Sequence, residues 1–359
     1  MSSFATTVQE NSTVAVTDLL ATLAELRPLT EDRMRAAMRS MMAGAWDEAQ
    51  IASVLTAMRK KGETGEEIAA AASVLRENMV RLDVGPIESL DTCGTGGDGL
   101  GTFNISTAAA LVAAGAGVPV VKHGNRASSG RSGSADVLAA LGIEVDSDPT
   151  WAQRCLHQAG FAFCFAPRFH PAMRHVASAR RKLGFRTLFN CLGPLANPAG
   201  ACFQLIGVGH LDWLDPMAHA VNRLGTRRAL VVHGRDGMDE VSLAAPTLVR
   251  EIQNGQVSSW EWTAKDFDLA PSTLEDLKSQ SAQESADRVL AILHGENSPA
   301  ARIVLANASA ALLAAGRSKT PAEGAELARD AIVTGKARKV LEQLLACSKN
   351  EFGNEGVAK

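Results

Sequence analysis

The segment Asp91-Thr92-Cys93-Gly94-Thr95-Gly96-Gly97-Asp98-Gly99 carries four glycines in six positions, just ahead of a helix that begins near Asn104-Ile105-Ser106-Thr107. Glycines let backbone N–H groups close around an anion, and a helix N-terminus adds its dipole. The chemistry this predicts is the holding of a phosphate or diphosphate. No Gly-Lys-Ser/Thr follows, and the Gly-x-Gly-x-x-Gly pattern fails after Gly94-Thr95-Gly96, so neither common nucleotide motif applies. A plain strand-to-helix turn is the alternative, and the glycine density argues against it.

A second cluster reads Lys122-His123-Gly124-Asn125-Arg126, followed by Ser128-Ser129-Gly130-Arg131-Ser132-Gly133-Ser134. Lys122 could neutralise a phosphate and Asn125 could hold a substrate amide or carboxylate. The serine and glycine run offers hydroxyls and amides to a second anion, such as a 5-phosphate. Arg126 also reads as a solvated charge, and His123 alone as a packed histidine. Asp239-Glu240 follows a strand expected over 228–233. Adjacent carboxylates repel unless a cation holds them. Mg²⁺ takes one or two carboxylates and fills its shell with water and substrate phosphates. The pair is a weak signal alone and gains weight beside two anion loops. A basic stretch runs through His170, Arg174, His175 and Arg180-Arg181-Lys182 to Arg186 and Asn190. An arginine there could grip a carboxylate with two parallel bonds. Lys182 and Arg181 read as surface charge, and His170 equally as a helix cap. No third ligand accompanies His170 and His175 at zinc spacing.

Elements must hold these groups in place. The chain opens with helical stripes only: Leu19, Leu20, Leu23 and Leu26, then Met34, Ala37, Met38 and Met41 behind a Thr30 cap. Capping boxes at Asp47 to Gln50 and Thr64 to Glu67 start two more helices, on Ile51, Val54, Leu55 and Met58 and on Ile68, Ala71, Ala72 and Leu75. Past Gly85-Pro86 the pattern changes. Strands expected at 87–90, 118–121, 161–165, 203–208 and 228–233 alternate with helices at 104–114, 134–141, 151–159, 174–183 and 217–224. That alternation predicts an α/β fold with a mainly parallel central sheet. Residues 249–262 suit an antiparallel edge, and 286–346 are mostly helical. The reading is a small all-helical domain over 1–85 and a large α/β domain over 86–359.

Composition excludes several classes. The 359 residues are 46% hydrophobic and 21% charged, with a net charge of −3, so neither a nucleic-acid nor a membrane partner is expected. Aromatics are 4% and Tyr is absent, which leaves the core to Ala, Leu, Val and Ile. Six scattered cysteines lack metal-ligand spacing. Residues 1–12 lack the apolar core of a signal peptide, and a cytoplasmic enzyme is expected.

Together these segments resemble the anthranilate phosphoribosyltransferases, from about Thr17 to Leu345. The motifs that carry the likeness are Cys-Gly-Thr-Gly-Gly-Asp, Asn-Ile-Ser-Thr, Lys-His-Gly-Asn-Arg, Ser-Gly-Ser-Ala-Asp-Val-Leu, Leu-Gly-Pro-Leu-Ala-Asn-Pro and Asp239-Glu240. The resemblance implies a helical domain, joined by a stretch near 174–195, on a large domain of the nucleoside phosphorylase and phosphoribosyltransferase type. It implies transfer of the phosphoribosyl group of phosphoribosyl diphosphate (PRPP) to anthranilate in tryptophan synthesis. It assigns PRPP to Gly94, Gly97, Asp98, Thr102, Asn104, Ile105, Ser106, Thr107, Lys122, Ser128, Ser129, Gly130 and Ser134. Anthranilate falls to Gly94, Asn125 and Arg180, and Mg²⁺ to Ser106, Asp239 and Glu240. A homodimer through the helical domain is implied too, and the apolar helix stripes are expected to leave surface for it. Two departures stand out. Phe169 replaces a histidine common before His170-Pro171, which is expected to bear on the anthranilate entrance. Ser129-Gly130 replaces consecutive serines. A pyrimidine nucleoside phosphorylase and a nucleic-acid-binding relative of the same fold are the alternatives. The acidic pair argues against the first and the slight negative charge against the second.

Overall fold

The computed structural model describes residues 14–127 and 132–352. Ser128, Ser129 and Gly130 therefore lie outside the described residues. The chain begins with helices α1 (Val16–Ala24), α2 (Glu31–Met42), α3 (Glu48–Lys61) and α4 (Gly65–Glu77). Thr30 caps α2, and reciprocal capping boxes at Asp47 and Gln50 and at Thr64 and Glu67 open α3 and α4. Each satisfies two backbone donors that the first helical turn leaves without partners. The stripe residues Leu19, Met34, Met38, Met41, Val54, Leu55, Met58 and Ile68 are all fully buried.

The α/β part runs β1 (Leu90–Gly94), α5 (Ile105–Gly115), β2 (Val120–Gly124), α6 (Ser134–Ala140), α7 (Pro149–Ala159) and β3 (Phe161–Phe165). Then come α8 (Ala166–Phe169), α9 (Arg174–Leu183), α10 (Leu188–Leu195), β4 (Phe203–Gly207), α11 (Leu214–Arg223) and β5 (Arg228–Gly234). The antiparallel pair β6 (Thr247–Gln253) and β7 (Gln256–Trp262) precedes α12 (Ala282–Leu293), α13 (Pro299–Ala314), α14 (Pro321–Val333) and α15 (Lys336–Phe352). The seven strands lie in the order β3-β2-β1-β4-β5-β6-β7. The first five pair in parallel, and β6 and β7 close the edge antiparallel. Among the described residues, no helix is long and apolar enough to cross a membrane.

Two strand boundaries differ from expectation. β1 starts at Leu90 rather than 87 and runs through Gly94, which pairs with Gly207 of β4. β2 runs through Lys122-His123-Gly124, paired with Phe163, Cys164 and Phe165 of β3. The chemical residues thus sit on strand ends, where ladder hydrogen bonds hold them, rather than on loops.

The sheet separates two cores. On β4 and β5, Leu205, Leu230 and Val232 face a layer built from α5, α7, α13 and α15, while Ile206, Ala229 and Val231 face the helices of the N-terminal part and α11. α9 packs on α2 and α3, and α10 on α3 and α4. Small residues allow close approach on the first face: a Cβ on Gly115 of α5 would stand 2.6 Å from the Ala337 backbone. The helical stripes are consumed here, against one another, against α11 and against the sheet. Leu26 of the first stripe is the exception, 58% exposed.

Candidate functional site

The strand order reverses between β1 and β4, since β2 and β3 continue to one side and β5 to the other. Ligands of open α/β sheets bind where such a reversal leaves a crevice beyond the strand C-termini. A cleft of about 1250 Å³ lies there, between the glycine loop, the end of β2, the Asp239-Glu240 segment that follows β5, and helices α9 and α10.

The glycine loop is stitched to β4. Thr95 N–H donates to Gly207 O (2.8 Å), Gly209 N–H donates to Thr95 Oγ1 (3.0 Å), and Gly96 N–H donates to Asp239 Oδ2 (2.8 Å). Gly96 and Gly97 have φ of +65° and +80°, which side-chain-bearing residues rarely adopt. The far half of the loop is braced by the segment before α12: Phe103 N–H donates to Leu277 O and Ser279 N–H to Gly101 O. Asn104 caps α5, its Oδ1 accepting from Thr107 N–H (3.1 Å), while its own N–H donates to Ser285 Oγ (2.9 Å).

The acidic pair has its own scaffold. Asn307 of α13, fully buried, accepts from Val241 N–H (2.8 Å) and donates to Val241 O (2.9 Å), so it clamps the residue after Glu240. Gly207 lets Asp239 come close: a Cβ there would lie 1.6 Å from the Asp239 carbonyl oxygen. Burial pushes the Asp239 carboxyl up, and the nearby Asp98 pushes it further. Glu240 is driven up by burial and by Asp239. Two half-buried acids that resist ionisation are a place where a cation would be held strongly. No group of three or more His, Cys, Asp or Glu side chains is arranged to hold an ion among the described residues. The pair therefore fits Mg²⁺, which needs few carboxylates when a phosphate supplies the rest, and does not fit an ion caged by protein alone.

Lys122 is buried on the cleft floor, and its Nζ donates to Thr92 O, to Thr92 Oγ1 (3.3 Å) and to Ser106 Oγ (3.2 Å). Its charge acts from beneath the loop. The His123 and His170 rings lie with centroids 4.9 Å apart and planes tilted by 50°. His123 Nδ1–H donates to Gly193 O and His170 Nε2–H to Ala196 O, which leaves His123 Nε2 and His170 Nδ1 buried without partners. Burial lowers them to about 3 and about 4. His170 stands at the N-cap of a 3-10 turn at Pro171–Met173, but its ring makes no capping bond and is tied to Ala196 instead. Arg180 lies with its guanidinium 5.3 Å from the Phe189 ring centroid. Its pKa is lowered by burial and then by Arg186.

Gly94, Gly97, Asp98, Thr102, Asn104, Ile105 and Ser106 line this one cleft, with Lys122, Asn125, Ser134, Arg180, Asp239 and Glu240. Thr107 does not: it is buried, and its hydroxyl donates to Asn104 Oδ1. Phe169 is also absent from the lining and belongs to the large core, so it does not shape an entrance. Sequence reasoning noted Arg186 without giving it a role and passed over Lys278 and Gln280, all of which line the cleft. The only signal for Arg186 was its place in a basic stretch.

The comparisons agree with this geometry. A family model described as the glycosyl transferase family, helical bundle domain, matches residues 17–79, and one described as its a/b domain matches residues 87–338. An anthranilate phosphoribosyltransferase of Symbiobacterium thermophilum is 48% identical over 91% of this chain and 96% of its own length. That of Thiobacillus denitrificans is 49% identical over 92% and 96%. The solved anthranilate phosphoribosyltransferase of Thermus thermophilus superposes with a TM-score of 0.87 at 43% identity, covering 92% of this chain and 99% of that one. The Saccharomyces cerevisiae enzyme, solved with PRPP and Mg, gives 0.84 at 27% identity, covering 94% and 99%. With both of its parts matched and close relatives covering nearly its whole length, the chain belongs to the anthranilate phosphoribosyltransferase family.

Proposed function

We propose that this cleft transfers the 5-phosphoribosyl group of PRPP to the amine of anthranilate, with Mg²⁺ as cofactor. The observation that carries the reading is that the glycine loop, half-buried Asp239-Glu240 and Arg180 line one cleft. The diphosphate of PRPP lies against the loop amides beyond Gly96, whose own N–H is committed to Asp239. Ser106, Asp239 and Glu240 would hold Mg²⁺, which supplies charge neutralisation at the departing diphosphate. Arg180 faces the anthranilate carboxylate, and Asn125 stands at the rim. The anomeric C–O bond breaks with its electron pair leaving on the diphosphate, the amine nitrogen forms the new C–N bond, and the nitrogen gives its proton to water. An aromatic amine is already neutral, so positioning and electrostatics do most of the work. The test is loss of anthranilate fluorescence on mixing with PRPP and Mg²⁺. Signal loss only with all components present supports the reading, and an unchanged signal in the complete mixture overturns it.

Assembly as a homodimer is part of the same proposal. Its support is the family together with apolar side chains left in the open beside the helical layer, Leu26 (58% exposed) and Phe185 (43%). A monomer mass in sedimentation at micromolar concentration overturns it.

A further inference from the structure

Arg186 stands between α9 and α10 and reaches the glycine loop from the helical side. Its Nη1 donates to Thr95 O (3.3 Å). Its guanidinium lies on Gly97: a Cβ built there would fall 1.6 Å from Nη2 and 1.7 Å from Cζ. Asp239 grips the same turn from the sheet side, through the Gly96 N–H. The loop is thus held between a cation above and a carboxylate below. The field of Arg186 works against the burial that raises Asp239. It also lowers Arg180, so it stands electrically between the two halves of the cleft.

We infer that Arg186 is a built-in countercation of the loop, a positioning residue that disfavours Mg²⁺ in the absence of substrate and favours PRPP. This rests on the proposed function. A fixed positive charge on the turn that Asp239 grips opposes a second cation at that carboxylate and attracts a diphosphate. Arg186 therefore keeps the loop shaped and Asp239 partly compensated until substrate and metal arrive together. A merely structural brace would affect both ligands in the same direction; a countercation affects them in opposite directions.

The test measures Mn²⁺ binding by electron paramagnetic resonance without PRPP, and PRPP binding by calorimetry at saturating Mg²⁺, on the full chain. Arg186→Gln is expected to tighten Mn²⁺ by roughly threefold to tenfold and to weaken PRPP by about tenfold or more. Arg186→Lys keeps the charge and should hold both constants within about threefold of wild type. Weakening of both ligands in Arg186→Gln, no change in either, or failure of lysine to rescue would each overturn the inference. Wild-type protein that binds no PRPP would instead sink the proposed function.

Discussion

Gly207→Ala puts a methyl group where the main chain of Asp239 already stands. The added carbon would lie 1.6 Å from the Asp239 carbonyl oxygen and 2.5 Å from its carbonyl carbon. An ordinary carbon–oxygen contact is about 3.3 Å, so residue 239 must retreat by about 1.7 Å. It cannot retreat alone. Asn307 holds Val241 by two hydrogen bonds, and Gly96 N–H is bonded to the Asp239 carboxylate. Overpacking of this kind costs about 1–3 kcal/mol of stability. The effect on the site should be larger, because a displacement near 1 Å at a reacting group costs about a hundredfold. Circular dichroism melting gives the first quantity, and calorimetry of PRPP at graded Mg²⁺ gives the second. The expected result is a folded variant with a lowered melting point and PRPP affinity reduced about a hundredfold. A folded variant that binds Mg²⁺ and PRPP like wild type would show that the Asp239 position does not matter, and would refute the reasoning.

Three further outcomes follow. Arg180→Ala should lose about 1.5–3 kcal/mol in kcat/KM for anthranilate, roughly tenfold to a hundredfold, with little change in PRPP affinity; exposed Arg181, which is not among the cleft-lining residues, is the control, and a selective loss in Arg181→Ala moves the assignment by one residue. Asp239→Asn with Glu240→Gln should abolish Mg²⁺-dependent turnover while leaving the melting point at or above wild type, since burial already resists ionisation of both acids; unchanged Mg²⁺ dependence in the folded double variant refutes the metal assignment. His170 titrates at about 4 in the fold and at about 6.5 when unfolded, so below 6.5 only the unfolded chain takes the proton and stability falls with pH. The stability gap between wild type and His170→Gln should therefore narrow by about 1.6 kcal/mol in total as pH falls from 6.5 to 5, and a gap independent of pH in denaturant titrations counts against a buried neutral imidazole.

What was legible in the sequence was local. The boxes at Asp47 and Thr64 announce helices because their partners lie three residues away. The glycine run and the acidic pair could be recognised as chemistry, but not as neighbours, since Gly96 and Asp239 are brought together only by the pairing of β1, β4 and β5. Asn307 gave no sign at all: an asparagine inside an alanine-rich helix carries no mark of clamping a loop far back in the chain. Strand ends were misjudged at β1 and β2 because glycine and charged residues read as loop, whereas ladder partners on β4 and β3 hold them extended. Phe169 looked like a gatepost because it stands beside His170, yet its ring is in the core.

The N-terminal helices reach the sheet through other helices: α11 lies on β5 and β6, α4 packs on α11, and α2 packs on α4, all within one core that includes Ile206, Ala229, Val231 and Ile252. A fragment cut at Gly85 would separate α2, α3 and α4 from α9, α10 and α11, on which they pack. The two matched parts should consequently behave as a single cooperative unit in calorimetry, with one endotherm. Amide exchange should report it too: protection in α4 should track that of β5, and both should be lost together in global opening rather than one before the other.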